Sequence, residues 1–165
     1  MRAALPLGLS FQDYPEEDSH AITVFIPGCR RGCPGCQNPS LAGEGGEGCK
    51  DISARILAEV VAASAKRNYT DKVVLTGGDP LDPANVKSTK ELLGHLKAKG
   101  LSVAIYTGAM PDEVKASGIT GFNYVKCGPF LESKKNPAAG KRKNGRPELA
   151  SINQQWYSGA MIPLN

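Results

Sequence analysis

The chain has 165 residues, a net charge of +4, 41% hydrophobic residues and 22% charged residues. That size suits one domain with its own core, and the balance excludes wholesale disorder. No apolar run approaches the roughly 20 residues of a membrane-spanning helix, which excludes a protein of that kind.

The N-terminal run Ala3-Ala4-Leu5-Pro6-Leu7-Gly8-Leu9 is apolar but short and broken by Pro6. It reads as mature protein, not as a signal peptide. The expected setting is therefore cytoplasmic and reducing. Five cysteines in that setting favour metal binding or catalysis over a disulfide framework.

Ala21 to Ile26 (AITVFI) is apolar and β-branched, which predicts a buried strand. Residues 27–50 hold seven glycines, three prolines and four cysteines, so no regular element fits and a functional loop is expected. Ile52, Ile56, Leu57, Val60 and Val61 then recur at helical spacing through about Arg67, with Asp51 or Ser53 as N-cap. Lys72 to Thr76 predicts a second strand, ended by Gly77-Gly78. Val86 to Lys99 predicts a helix with Leu92, Leu93 and Leu96 inward and Gly100 beyond its end. Leu101 to Tyr106 is a third strand, Pro111 opens a short helical turn, and Asn123 to Lys126 is a fourth strand. His95 falls mid-helix and is expected at the surface.

This alternation predicts an α/β fold, a mostly parallel sheet with helices outside, in a single domain over 1–165. Such sheets place ligands at the carboxyl ends of their strands. Both glycine-rich segments follow strand ends and are expected to share one edge.

The positive charge is local. Residues 134–146 carry Lys134, Lys135, Lys141, Arg142, Lys143 and Arg146 with no acid, and without them the net charge of +4 becomes −2. Whole-chain charge therefore gives no case for nucleic acid. The basic run is either a solvated loop or a surface that steers an acidic partner. It lies outside every motif that suggests a cofactor.

Cys29, Cys33 and Cys36 form a C-x3-C-x2-C pattern just after the first strand. Three thiolates this close can hold three corners of an iron–sulfur cubane, leaving one iron open to a chelating molecule. Gly28, Gly32 and Gly35 allow tight folding around inorganic sulfide. Arg30 and Arg31 are expected to ease thiolate formation. Unligated cysteines and a zinc site remain as alternatives; zinc would want a fourth ligand, for which Cys49 is the nearby candidate.

The spacing resembles the signature of the radical S-adenosylmethionine (SAM) superfamily. Gly28-Cys29 through Cys36-Gln37-Asn38-Pro39-Ser40 resembles the cluster loop of the anaerobic ribonucleoside-triphosphate reductase activating proteins. Leu75-Thr76-Gly77-Gly78-Asp79-Pro80-Leu81 resembles that family's SAM loop, here 76–83. Ile105-Tyr106-Thr107-Gly108 is similar to its next strand end, and Ala150-Ser151-Ile152-Asn153-Gln154 to its Ser-Asn-Gln terminus. Tyr124 to Phe130 is similar to a segment that usually has aspartate where Cys127 stands.

The resemblance implies a partial (βα) barrel of the radical SAM type. It implies a [4Fe-4S] cluster on Cys29, Cys33 and Cys36, with the amino and carboxylate groups of SAM on the open iron. One external electron, from a donor such as flavodoxin, would cleave SAM to methionine and a 5′-deoxyadenosyl radical. No general base is needed, so the catalytic set contains nothing beyond cluster and SAM. The partner would be the large catalytic subunit of the anaerobic reductase, on which a glycyl radical forms. Gly35 and Gln37 would touch the cofactor through their backbone. Gly77 and Gly78 would let the chain approach the methionine group, so that Gly78→Val weakens SAM binding while sparing iron. Asp79 would accept from the SAM amino group. Ser151, Asn153 and Gln154 would close the ligand edge, or simply form a polar last strand. Cys49 and Cys127 are most simply structural. Other expectations from the residues are an activase of a different glycyl-radical enzyme, a small-molecule radical SAM enzyme, or a non-catalytic iron–sulfur or zinc module.

Overall fold

The structure, a computed structural model, describes residues 1–164. In chain order its elements are β1 (Arg2–Ala4), β2 (Gly8–Ser10), β3 (Ala21–Ile26), β4 (Cys49–Asp51), α1 (Ala54–Arg67), β5 (Lys72–Gly77), α2 (Val86–Ala98), β6 (Ser102–Tyr106), α3 (Pro111–Ala116), β7 (Tyr124–Cys127), β8 (Arg142–Lys143), β9 (Arg146–Pro147) and β10 (Gln155–Ser158).

Six strands form one sheet in the order β10-β7-β6-β5-β3-β2. The four central strands are parallel, with Val24 opposite Leu75 and Val74 opposite Ala104. β2 and β10 close the two sides as antiparallel strands. The fold is thus α/β with a mostly parallel, mixed sheet and three helices.

The central order follows the chain without reversal. Parallel crossovers are right-handed, so three crossovers in one direction carry α1, α2 and α3 to the same face. Strand periodicity then sorts the side chains. Val73, Leu75, Val103, Ile105 and Val125 join one core with Leu57, Val61, Leu92, Leu93 and Val114 from the helices. Ala21, Val74 and Ala104 face the other way, where Tyr14 and Trp156 cover them. The helices lie on one face together with Met1 and Ala3, and Tyr14 and Trp156 cover the other.

α1 starts at Ser53, whose Oγ accepts from the Ile56 amide at 3.2 Å. Its buried stripe is Ala54, Leu57, Ala58, Val61 and Ala65. Ile56 is half exposed, contrary to its place in the expected apolar set. Alanines at 54, 58 and 65 let the helix sit close to the sheet, and that packing turns Ile56 outward. Leu92, Leu93 and Leu96 of α2 are buried as the sequence predicts, and Gly100 follows the helix end at φ +73°. No helix among the described residues is long and apolar enough to cross a membrane.

The ends of the chain differ from expectation. β1 and β2 have too few residues to carry a periodic signal. The last strand is Gln155–Ser158, and residues 151–154 form the turn before it. Trp156 sets this register, because its ring packs edge-on against Tyr106 at 5.1 Å between centroids.

Candidate functional site

The carboxyl ends of β3 and β5 hold the loop that carries the cysteines. The Gly28 amide donates to Leu41 C=O at 2.9 Å, and Cys29 and Gly43 exchange two backbone bonds at 2.7 and 3.1 Å. The Asp79 amide donates to Gly28 C=O at 2.9 Å, tying segment 76–83 to the loop. Asn85 Nδ2 lies 2.9–3.1 Å from the carbonyls of Pro27, Gly28 and Asp79 and links all three strands of chain. Asn38 Nδ2 donates to Gly77 C=O at 3.2 Å. The two glycine-rich segments therefore meet at one sheet edge.

Cys29, Cys33 and Cys36 all line one cavity of about 400 Å³ there. That volume falls in the roughly 300–1,000 Å³ range of small-molecule sites. Gln37, Gly77 and Gly78 line the same cavity, as does Asp79. Gly35 does not line it; a Cβ there would sit 3.3 Å from Phe130 and Glu132, so this glycine serves loop packing. All five cysteines are free. Cys49 pairs in β4 with Ala4, and Cys127 is buried in the helix-side core, both away from the cavity lining. Among the described residues, no three His, Cys, Asp or Glu side chains gather as a single metal ion would need. A cubane places each thiolate on a different iron, which asks for a wider spread than one ion does.

The carboxylates of the loop are already engaged. Asp79, 1% exposed, accepts from Arg31 Nε at 2.8 Å, Thr107 Oγ1 at 2.6 Å, and the Leu81 and Gly108 amides at 2.9 and 3.2 Å. Four donors fill its acceptor positions. In this structure Asp79 joins cluster loop, β5 end and β6 end, and no free lone pair faces the cavity for a ligand amine. Gly108 makes the contact with Arg31 possible, because a Cβ there would strike the Arg31 stem. Asp82 takes Arg30 in the same manner, with a guanidinium contact at 3.3 Å and the Arg30 amide at 3.1 Å.

These pairings alter the role expected for the two arginines. Burial pushes the Cys29 thiol up, and the charges of Asp79, Cys33 and Asp82 push it further, against one backbone hydrogen bond from Arg31. The arginine side chains spend their charge on carboxylates and fix the loop's position, and Arg31 lowers the Cys29 thiol through its backbone amide, which burial outweighs.

Gly77 and Gly78 also have a nearer reason than a ligand. Gly77 sits at φ +117°, and a Cβ would lie 2.7 Å from Ile26 N. A Cβ on Gly78 would lie 2.6 Å from Gly28 O and 2.7 Å from Leu41 O. The strand ends pack backbone on backbone here, so a side chain at 78 would displace the cysteine loop itself.

Lys126 was not singled out by its sequence, yet it also lines the cavity. Val125 and Cys127 turn to the helix-side core, so the alternation of β7 turns Lys126 to the other face. Burial lowers its ammonium to about 8, against the opposing pull of Asp79, Cys127 and Cys33. A lysine inside the apolar strand Tyr124–Cys127 was the available signal.

The basic segment borders this site through Ala139 and Gly140, while none of its six Lys and Arg residues lines the cavity. Arg142 donates to the carbonyls of Glu16 at 2.8 Å, Gly145 at 2.7 Å and Tyr14 at 3.2 Å. Ala139, Gly140, Pro147, Glu148, Leu149 and Ala150 then form the outer wall of the cavity. The basic side chains themselves stay out of the cavity lining, and Arg142 fastens their segment beside it. The Ser151–Gln154 turn holds the neighbouring loop, with Asn153 Nδ2 donating to Pro129 C=O at 2.9 Å and Gln154 Nε2 to Gly128 C=O at 3.2 Å. Gln154 also lines the cavity; Ser151 is buried and accepts from the Leu131 amide. His95 lies on α2, outside the cavity lining.

Comparison with known proteins places this arrangement. Residues 19–145 match the family described as a 4Fe-4S single cluster domain. The chain is 31% identical over 123 residues to the anaerobic ribonucleoside-triphosphate reductase-activating protein of Salmonella typhi, covering 70% of this chain and 78% of that one. This chain belongs to that family of activating proteins. Its Escherichia coli (strain K12) relative of the same name is 30% identical over 123 residues, with the same coverage. The relative from Enterobacteria phage T4 is 28% identical over 98 residues, 57% of this chain and 60% of that one.

Proposed function

We propose that the chain is a radical SAM activase that generates a glycyl radical on the large catalytic subunit of an anaerobic ribonucleotide reductase. The observation that carries this reading is the convergence of Cys29, Cys33 and Cys36 on one cavity at the sheet's carboxyl edge, in a chain whose relatives bear the activating-protein name.

The donor set fits an iron–sulfur cluster. It consists of three soft thiols, and the neighbouring carboxylates Asp79 and Asp82 are bound to arginines. Once reduced by an external donor such as flavodoxin, a [4Fe-4S] cluster held there would supply the electron that cleaves SAM. Cys29, Cys33 and Cys36 are its proposed ligands. Gln37, Gly77 and Gly78 are proposed to border SAM through their backbone. Asp79 acts one step back, by fixing Arg31 and Thr107. Ala139, Gly140 and residues 147–150 border the cavity on its outer side. In this reading residues 1–165 form one radical SAM domain, its sheet a partial (βα) barrel, working in the reducing cytoplasm.

The test is anaerobic incubation of the chain with the reductase subunit, SAM and a reductant, followed by electron paramagnetic resonance. A glycyl-radical doublet that needs all three components is expected. Its absence with a fully loaded iron–sulfur centre would refute the proposal.

A further inference from the structure

The cavity is lined by the acids Asp13, Asp79 and Glu148 and by one buried lysine, Lys126, that is ion-paired with none of them among the described residues. Lys126 is 9% exposed and lies on the face of β7 that looks away from the helices. An ammonium carries three donors. Among the described residues its one hydrogen bond is long, 3.5 Å from Nζ to Gly128 C=O, and it lies over the Tyr106 ring at 5.7 Å to the centroid. Lys126 forms no ion pair among the described residues. Asp79, the buried acid of the same wall, already holds Arg31 at 2.8 Å. Burying a charge without a partner is costly, and such charges are found paired or bound to ligands.

A lysine so placed is completed by an anion that enters the cavity. The cavity is of small-molecule size and shares its wall with Lys126, Cys33, Gly78 and Gln154. We propose that Lys126 is the anchor for the carboxylate of bound SAM, a proposal that rests on the SAM reading above. The ammonium pairs with the carboxylate oxygen directed at the β7 end. Val125 and Cys127, fixed in the core, hold the strand that presents it. Lys126 is then a binding residue that selects amino-acid sulfonium ligands over amines.

The experiment titrates the cluster-loaded protein, without reductant, by anaerobic calorimetry. The two ligands are SAM and decarboxylated SAM, which lacks only the carboxylate. Wild type is compared with Lys126→Met, which keeps the apolar stem and removes the charge. Affinity for SAM is expected to fall roughly tenfold to a hundredfold in the variant, as for loss of a charged hydrogen-bonded pair. Affinity for the decarboxylated ligand should change by less than about twofold. Equal losses for both ligands, or no loss for SAM, overturn the proposal. A shifted cluster potential with unchanged SAM affinity also overturns it, by assigning the lysine to the thiolates. The ligand-free variant should melt no lower than wild type, since an unpaired buried charge has been removed; a clear drop would make Lys126 structural and overturn the proposal. A loaded wild type that binds no SAM would instead sink the parent reading, whereas binding that ignores Lys126 sinks only this one.

Discussion

Asp79→Asn tests the idea that one buried carboxylate holds the cysteine loop against the sheet. Asp79 is 1% exposed and accepts from Arg31, Thr107, Leu81 and Gly108. An amide of the same shape has one accepting oxygen and one donating nitrogen. With Oδ1 kept toward Thr107 and Leu81, the new NH2 meets two donors, Arg31 Nε and the Gly108 amide. Removing one partner of a buried pair costs about 3–5 kcal/mol. The Arg31 side chain is 26% exposed, which lets water relieve part of its charge. About 2–4 kcal/mol is the reasonable loss. For a domain of this length that lowers Tm by about 5–15 °C. Thermal unfolding followed by circular dichroism at neutral pH measures it. Asp112→Asn serves as control, because that side chain is 97% exposed and its contact with Lys115 is long at 3.7 Å. A Tm for Asp79→Asn within about 2 °C of wild type would refute the reasoning.

Gly78→Val should lower both retained iron and SAM affinity, because its Cβ meets the carbonyls of Gly28 and Leu41; iron analysis of the purified variant decides, and full iron content would restore the simpler ligand-approach account. Burial alone would raise the Asp82 carboxyl, but the Ala84 and Arg30 amides and the Arg30 guanidinium outweigh it and hold it below the usual range. Its stabilising effect is therefore present above the unfolded value and is lost as pH falls through the folded one. Asp82→Asn should melt below wild type at neutral pH, and a gap that does not narrow by roughly pH 3 contradicts this. Within the basic segment the residues should separate: Arg142→Met, which releases the carbonyls of Tyr14 and Glu16, should lower Tm and partner-free SAM cleavage. Neutralising exposed Lys141 and Lys143 should leave both intact and only flatten the salt dependence of association with the reductase. Equal effects from the two sets would contradict the division.

The parallel centre of the sheet was legible because its strands are apolar runs with glycine after them, and buried strands read that way. α2 was legible from Leu92, Leu93 and Leu96. Ile56 misled because the apolar pattern of α1 is shared with alanines, whose small volume decides the close face. β1, β2 and β10 were hidden: three or four residues carry no period, and Trp156 is placed by Tyr106, far away in sequence. In the site, the cysteine spacing was visible, while the ties that fix it were not. Arg31 to Asp79, Arg30 to Asp82 and Arg142 to Tyr14 join residues about 50 to 130 positions apart. Only the fold brings them together. Lys126 was harder to read for a related reason, since a lysine inside an apolar strand signals a site only once both faces of the sheet are assigned.

The central claim is that three thiolates, and no fourth, hold a cluster that acts on SAM. The most direct measurement is reductant-dependent release of methionine and 5′-deoxyadenosine, with iron and sulfide counted on the same samples. Wild type should cleave SAM; Cys29→Ala, Cys33→Ala and Cys36→Ala should not; Cys49→Ala and Cys127→Ala should keep most of the activity. Loss of iron and cleavage in Cys49→Ala as complete as in Cys33→Ala would contradict the account, as would a fully iron-loaded wild type that releases neither product.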